Sequence, residues 1–303
     1  MVERFQELVK RLQPDAVIVE YVTLGYLVPQ RDVFDEQHPH YLIDTHDLLS
    51  ERYRQFKNFG YEHWIRITRD EEAAVLKKFD TVIAIQEEEA NEFKSMCGKQ
   101  QTVIITGYPA EPHSASEAIA NATQAAEFTM GYFGSNNPSN LQALQWFMTE
   151  VWPHVLLKQP NVTLLIAGSI CEAIETTQDQ ANVVLQNQIV DLPSLYKRFK
   201  FAINPVQFGT GLKIKNQEAL AYGKPLIVTQ SGAAGMNTND LPSPIVVTKN
   251  SQQMQQAILN WVTDDAAFQI ASTAAIHYVN HYLGPTEVYA PLLKRLQTFP
   301  DSP

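Results

Sequence analysis

Cysteine is scarce in this sequence: there are 2 in 303 residues, Cys97 and Cys171, and neither belongs to a CxxC or Cys/His pair. This scarcity argues against a disulfide framework and against a thiolate zinc site. No apolar run approaches the roughly 18 residues of a membrane span, and the first residues lack the basic-then-apolar order of a signal peptide. The sequence therefore predicts a cytoplasmic protein.

Positive charge is also scarce, since the formal net charge is -10. Nucleic-acid backbones are bound by clustered lysine and arginine, so no nucleic-acid partner is expected. One small basic cluster, Arg52, Arg54 and Lys57, lies beside Glu51. It allows at most a weak peripheral contact with an anionic membrane. A solvated helix face explains the cluster better.

What the sequence does contain is an alternation of short apolar runs with amphipathic stretches of helical length. This pattern is typical of βαβ units, so an α/β fold with parallel sheets is expected. At roughly 150 residues per domain, the length suggests two domains. The composition changes after residue 109 and predicts a linker over 110–126.

The pattern predicts specific elements in both halves. Strands are expected at 16–22, 41–44, 81–85, 102–106, 129–133, 163–167, 183–186, 201–204, 225–229 and 245–247. Helices are expected at 5–12, 61–79, 87–96, 139–157, 192–198, 212–222 and 251–262, with two more within 265–297.

The most informative stretch, residues 204–225, follows a predicted strand and opens a predicted helix. Gly209 and Gly211 let backbone approach an anion closely, and a helix N-terminus presents unpaired N–H groups and a positive dipole end. The stretch therefore predicts a phosphate-binding loop.

Charged side chains follow these glycines at helical spacing. Gly211, Lys215 and Glu218 would share one helix face, where lysine suits phosphates and glutamate suits ribose hydroxyls. Lys213 could also reach the phosphates, and spacing alone does not choose between the two lysines. The same spacing is equally compatible with a solvated ion pair on an ordinary helix.

The letters of this stretch, G-T-G-L-K-I-K-N-Q-E-A-L-A-Y-G-K-P from residue 209, resemble the donor-binding motif of the group 1 (family 4) glycosyltransferases of the GT-B fold. The match is to the branch that carries G-T-G-L-K-x-K. Further similar stretches lie at 131–135, 140–147, 151–153, 164–168, 190–196 and 231–236, so the resemblance covers nearly all of 127–297. It implies two Rossmann-like domains with parallel sheets facing across a cleft.

The resemblance also implies roles for individual residues. Glu218 would bind ribose, whereas Thr210 occupies the place of the family's first glutamate. The family's arginine after the first strand of the second domain is absent, so Lys213 and Lys215 become more important for binding the phosphates. Lys213 and Glu218 are expected to be catalytic together with a histidine of the first domain. The residues implied to bind the donor are Gly134, Ser135, Val190, Gly209, Thr210, Gly211, Lys213, Lys215 and Glu218.

That histidine is His46. Residues 41–47 run out of a predicted strand into a loop, where open α/β sheets place ligands. The segment resembles the family's histidine-bearing strand end, so His46 is expected to contact the donor sugar, with Asp47 as the second residue of the cleft.

Two other interpretations of His46 stay open: a structural histidine held by nearby acids, or a metal site. The neighbouring side chains that could hold an ion are Asp35, Glu36, His38, His40, Asp44 and Asp47. No H-x-x-x-H spacing organises them, and the family's fold needs no metal. Neither a metal nor a cofactor is therefore expected.

The resemblance begins inside the family's first domain, because residues 5–12 resemble the helix before its fourth strand. The resemblance predicts a shortened acceptor-side domain over 1–109 and a nucleotide-sugar-binding domain over 127–284. A C-terminal helix within 285–303 is expected to return to the first of these domains. The missing units would be absent or supplied as a separate N-terminal half.

The function implied is transfer, with retention and without a metal, of a sugar from a nucleoside diphosphate to a glycan or glycolipid, in the manner of polysaccharide biosynthesis. Two alternatives stay open: a sugar-nucleotide epimerase on the same fold, and a non-catalytic nucleotide-sugar-binding subunit.

Overall fold

The computed structural model describes residues 1–30, 39–110, 126–174, 182–189 and 191–299. The chain divides into two compact units. Unit 1 comprises Met1–Tyr108, Thr210–Leu212 and Val288–Pro303, and unit 2 comprises Pro109–Gly209 and Lys213–Glu287. The predicted linker, 110–126, lies outside the described residues apart from its two ends.

Unit 1 is built on a four-stranded parallel sheet in the order β1-β2-β3-β4. Its strands are β1 (Ala16–Glu20), β2 (His40–Asp44), β3 (Thr81–Ala84) and β4 (Thr102–Ile105). Its first helices are α1 (Val2–Leu12), α2 (Leu49–Asn58), α3 (Arg69–Leu76) and α4 (Glu87–Met96), and a 3-10 helix spans Val22–Leu27. Ile43, Leu76, Phe79, Val82 and Phe93 are at most 1% exposed and form part of the core that packs these layers together.

The predicted helix over 61–79 is wrong in its first half, because α3 begins only at Arg69. A capping box sets this start. The Thr68 hydroxyl accepts a hydrogen bond from the Glu71 N–H, and the Glu71 carboxylate accepts one from the Thr68 N–H. Threonine followed three residues later by glutamate is a helix start signal, and it competes with the longer amphipathic pattern. The chain also forms α2, which was not predicted as a separate helix.

Unit 2 is built on a six-stranded sheet in the order β10-β9-β8-β5-β6-β7, and every pairing is parallel. Its strands are β5 (Phe128–Phe133), β6 (Leu164–Ala167), β7 (Val183–Gln186), β8 (Phe199–Asn204), β9 (Leu226–Thr229) and β10 (Ile245–Thr248). Residues alternate between the two faces of the sheet. In β6, Leu164 and Ile166 join one apolar cluster, whereas Leu165 and Ala167 join the other.

Helices accompany both faces of this sheet. They are α5 (Pro138–Trp146), α6 (Trp152–Lys158), α7 (Leu192–Lys197), α8 (Ile214–Ala221), α9 (Ser251–Thr263) and α10 (Asp265–Tyr278). The last helix, α11 (Pro285–Leu296), belongs mostly to unit 1, where the Arg295 Nε donates to the Thr81 hydroxyl at 2.8 Å. π-helical turns at Phe147–Val151 and Val279–Leu283 follow α5 and α10. The expected α/β class with parallel sheets is thus confirmed, and each predicted strand overlaps an observed one. None of the described helices is long and apolar enough to cross a membrane.

The strand order of unit 2 reverses between β5 and β8. From β5 the chain moves outward through β6 and β7, and it then returns to the other side of β5 with β8. In open α/β sheets, ligands bind outside the carboxyl ends of the strands at such a reversal. The loops that follow β5 and β8 therefore define where a ligand site is expected.

Candidate functional site

The loop after β8 carries the glycines of the predicted phosphate-binding motif. Gly209 has a φ of 111° and Gly211 a φ of 79°, which are left-handed conformations that glycine adopts without steric cost. The helix that follows begins at Ile214, so Gly211 precedes it and shares no helix face with Lys215 and Glu218, contrary to the prediction. These two left-handed glycines delay the start of the helix. Lys215 and Glu218, three residues apart, do lie on neighbouring positions of α8.

Lys215 joins α8 to β5 and to the start of α5. Its Nζ donates to the Asn140 Oδ1 at 3.0 Å and to the Tyr132 hydroxyl at 3.4 Å, and it lies 4.5 Å from the centre of the Tyr132 ring. Burial, with a further contribution from the charge of Lys213, lowers the Lys215 pKa to about 7. Its two hydrogen-bond partners carry no charge, so the ammonium would gain strongly from an anion.

Lys213 and Glu218 lie on either side of Lys215 along the chain. The Lys213 Nζ donates to the Gly209 carbonyl at 3.3 Å, which folds the side chain back over the loop. The Glu218 carboxylate accepts from the Tyr196 hydroxyl at 3.5 Å, and burial raises its pKa above the usual range. Glu218 therefore has one neutral partner and a second oxygen able to accept from a ligand hydroxyl.

The loop after β5 is held by the start of α5. The Asn137 side chain caps the helix by accepting from the Asn140 N–H at 2.9 Å. The Asn140 Nδ2 donates to the Ser135 carbonyl at 2.9 Å, and the Gly134 N–H donates to the Ala167 carbonyl at 3.1 Å. Asn140 thus joins the loop of Gly134 and Ser135 to Lys215.

Two buried asparagines fix the start of α8 against the sheet. The Asn204 Nδ2 at the end of β8 donates to the Asn216 Oδ1 at 2.9 Å, and the Asn216 Nδ2 donates to the Gly232 carbonyl at 2.8 Å. Both side chains are 1% exposed. Since Asn216 follows Lys215 directly, this network determines the placement of the lysine.

Gly168, after β6, is expected to be intolerant of any side chain. Its φ of 96° and ψ of -177° lie in a region that is essentially restricted to glycine. A Cβ there would also lie 2.6 Å from the Gly134 carbonyl oxygen. Gly168→Ala should therefore lower the free energy of unfolding by at least about 2 kcal/mol. Urea unfolding tests this, with Gly60→Ala as a control that is left-handed but has open space around it; equal losses in both variants would contradict the clash.

In unit 1, His46 lies just past the carboxyl end of β2. It has a φ of 59°, and its Nε2 lies 2.5 Å from the Glu20 Oε2 and 4.0 Å from the Asp44 Oδ1. The Tyr21 ring stacks on the imidazole with centroids 4.1 Å apart. Burial, partly offset by His46, raises the Asp44 pKa. The sequence did not single out Glu20, because the predicted strand continued to residue 22, whereas β1 ends at Glu20.

Asp47 is 5% exposed, and its Oδ2 accepts from the Arg52 Nη1 at 2.5 Å. Within the same unit, the Gly211 N–H donates to the Glu89 Oε1 at 3.1 Å, and a Cβ on Gly211 would lie 3.5 Å from the Asp47 Oδ1. Burial, with the charge of Asp47, raises the Glu89 pKa to about 7. Asp47 is thus a buried neighbour of the motif glycine, and Glu89 is a residue that the sequence did not reveal.

Of the side chains considered for a metal, Asp44 and His46 lie together, and with Glu20, which the sequence did not indicate, their ligand atoms are within 4.8 Å of one another. Asp35, Glu36 and His38 lie outside the described residues, as does Val190 of the predicted donor site. The basic cluster lies on α2, where Arg52 and Arg54 are ion-paired with Asp47 and Glu51. This pairing fits a solvated helix face better than a membrane-binding patch.

Solved structures share this fold over almost the whole chain. The crystal structure of TarM matches with a TM-score of 0.72 and 16% identity, covering 99% of this chain and 58% of TarM. That of Anabaena HepE in complex with UDP matches with a TM-score of 0.71 and 15% identity, covering 97% of this chain and 82% of HepE. The two parallel sheets and these neighbours show that the chain has the GT-B fold.

A family match covers the part of the chain that carries the motif. Residues 127–264 match the family described as "Glycosyl transferases group 1". This match confirms, over these residues, the resemblance identified in the sequence.

Two curated relatives match over part of the chain. An uncharacterized 44.6 kDa protein in the cps region of Klebsiella pneumoniae is 24% identical over 166 residues, which are 52% of this chain and 42% of that protein. The poly(glycerol-phosphate) alpha-glucosyltransferase of Bacillus subtilis (strain 168) is 25% identical over 219 residues, 69% of this chain and 31% of that protein. The chain thus matches less than half the length of each.

Proposed function

We propose that this chain transfers a sugar from a nucleoside-diphosphate sugar to a glycan or glycolipid acceptor, with retention at the anomeric carbon and without a metal or cofactor. The diphosphate binds between the loops after β5 and β8, with Lys213 and Lys215 stabilising its charge and Glu218 accepting from ribose hydroxyls. His46 contacts the donor sugar. Fixed positive charge at the departing diphosphate is an electrostatic form of catalysis.

The observation that carries this proposal is the position of Lys215. Its ammonium touches Asn140 and Tyr132 beside the strand reversal, and its partners there are neutral. A half-buried cation without a carboxylate in its hydrogen-bonding shell is costly unless an anion completes it. Glu218, one helical turn away on α8, supplies an acceptor for a ribose beside that diphosphate.

The relatives support the class of donor and acceptor. Anabaena HepE was crystallised with UDP and with UDP-glucose, and the Bacillus subtilis relative is named as a glucosyltransferase acting on poly(glycerol-phosphate). UDP is therefore the nucleotide probe, and UDP-glucose with poly(glycerol-phosphate) is the first donor and acceptor pair.

The decisive experiment incubates the chain with labelled UDP-glucose, with and without acceptor, and follows label, free UDP and the sugar by NMR. Transfer that depends on acceptor supports the proposal. Isomerised UDP-sugar without acceptor indicates the epimerase, and UDP binding by calorimetry without any turnover indicates the non-catalytic subunit.

Lys213→Ala and Lys215→Met are each expected to lower donor kcat/KM at least tenfold, about 1.4 kcal/mol of transition-state stabilisation, while circular dichroism stays that of the wild type. Lys158→Ala, at the exposed end of α6, is the matched control and should have no effect. Unchanged donor kinetics in both lysine variants would exclude this site.

A further inference from the structure

The carboxyl ends of β1 and β2 bring an acid and a histidine together. The strands pair in parallel, with Glu20 opposite Asp44. Glu20 is the last residue of β1, Asp44 is the last residue of β2, and His46 lies two residues beyond Asp44. The chain turns sharply at both ends, because Tyr21 has a φ of 65° and His46 a φ of 59°. These turns place the Tyr21 ring on one face of the imidazole and the Glu20 carboxylate at its edge.

We propose that Glu20 is a positioning residue for His46: its carboxylate accepts the Nε2–H and fixes the orientation of the ring. In the neutral imidazole this contact selects the Nε2–H tautomer, which leaves Nδ1 to accept from a hydroxyl of the donor sugar. The sugar contact rests on the function proposed above, whereas the pairing itself does not.

The chemistry of the contact specifies the proton. An ionised carboxylate can only accept hydrogen bonds, so an Nε2 to Oε2 distance of 2.5 Å requires a proton on Nε2. In a neutral imidazole the other nitrogen is then an acceptor. The stacked Tyr21 ring restricts rotation of the imidazole, and Asp44 accepts the backbone N–H of His46. The orientation and the tautomer of His46 are thus set by Glu20, Tyr21 and Asp44, at the carboxyl ends of two adjacent strands.

The same distance argues against a metal at this cluster. Two ligands about 2.1 Å from one tetrahedral ion lie about 3.4 Å apart. The Glu20 and His46 atoms lie 2.5 Å apart, which fits a shared proton. A metal site would require both side chains to move.

The first test reads the tautomer directly by ¹⁵N NMR of the histidine rings, with His46 assigned by the His46→Asn variant. The wild type is expected to show the Nε2–H form, and Glu20→Ala a mixture of both tautomers. Glu7→Gln, an exposed acid of α1, is the matched control and should leave the His46 signals unchanged. A neutral Nδ1–H form in the wild type, or no change in Glu20→Ala, overturns the pairing.

The second test separates positioning from folding. Glu20→Ala should lower kcat about tenfold or more, as loss of an orienting partner commonly does, with little change in the KM for the donor. Glu20→Gln keeps an oxygen acceptor and should recover part of this loss. Wild-type kcat in Glu20→Ala overturns the positioning role, and so does stoichiometric Zn²⁺ or Mn²⁺ binding that disappears in His46→Asn.

Failure of the proposed function would have a different signature. If the wild type transfers no sugar while the NMR result in Glu20→Ala is as expected, the pairing stands and the donor-sugar role of His46 falls. If transfer occurs and the tautomer is unaffected by Glu20, the glycosyltransferase proposal stands and the pairing falls.

Discussion

UDP affinity is expected to fall about tenfold for each pH unit above about 7, reaching a loss of about a hundredfold near pH 9. The cause is Lys215, whose pKa burial lowers to about 7 from the ordinary 10.5. Below that pH the free protein already carries the ammonium that the diphosphate needs. Above it the lysine is mostly neutral, so binding must take up a proton.

Proton uptake is the direct measurement. Calorimetry in two buffers of different ionisation enthalpy should show nearly one proton bound per UDP at about pH 8 to 9, and almost none at about pH 6, because the lysine is then already protonated. The absence of uptake at the higher pH would show that Lys215 is not the group that meets the diphosphate.

Two variants isolate the lysine. Lys215→Met keeps most of the side-chain volume, should bind UDP weakly at every pH and should lose the proton uptake. Lys213→Ala should also bind more weakly, but it retains Lys215 and therefore retains the uptake, with its midpoint moved to higher pH because a neighbouring positive charge is gone.

The same lysine makes stability depend on pH in a defined direction. Its pKa is lower in the folded state than in the unfolded state, so the unfolded state binds more protons between about 7 and 10.5. Stability therefore rises with pH across that window, and below about 7 the full cost of burying the charge is present. Lys215→Met should flatten this part of the urea unfolding profile, whereas Lys158→Ala should not.

Local patterns were sufficient to predict most elements and the motif. The strand at 183–186 and the helix at 87–96 have the bounds that the structure shows, because alternating apolar runs and clear polar boundaries mark both. The glycines at 209 and 211 do adopt left-handed conformations, as a close approach to an anion requires. The loop after β8 could therefore be recognised as a motif from residues that are close together in the sequence.

The partners of the site residues depended on tertiary contacts and could not be read from spacing. Glu20 and His46 are 26 residues apart, and Glu89 and Gly211 are 122 residues apart. Nothing in the local pattern distinguishes Glu20 from an ordinary surface acid. Lys215 could be placed on a helix, but its uncharged partners, Asn140 and Tyr132, follow only from the order of strands in the sheet.

Asn216→Leu is expected to lower the free energy of unfolding by about 3 kcal/mol, because it orphans two buried groups at about 1 to 3 kcal/mol each. The Asn204 Nδ2 loses its acceptor and the Gly232 carbonyl loses its donor. The replacement has a similar volume, so the loss reports hydrogen bonds more than packing. UDP affinity should fall as well, since the residue fixes the turn between Lys215 and Glu218.

A double-mutant cycle tests whether the two asparagines act as one network. The Asn204 Oδ1 already has no hydrogen-bond partner among the described residues. Asn204→Leu therefore removes an unsatisfied acceptor, and it should lower the free energy of unfolding less than Asn216→Leu does. In the double variant, position 204 no longer carries the donor that Asn216→Leu alone leaves without an acceptor. The double variant should then be more stable than the sum of the single losses predicts, by about 1 kcal/mol or more. Strict additivity in urea unfolding would mean that the contact contributes little, and α8 would then owe its placement to apolar packing of Ala219 and Leu220 instead.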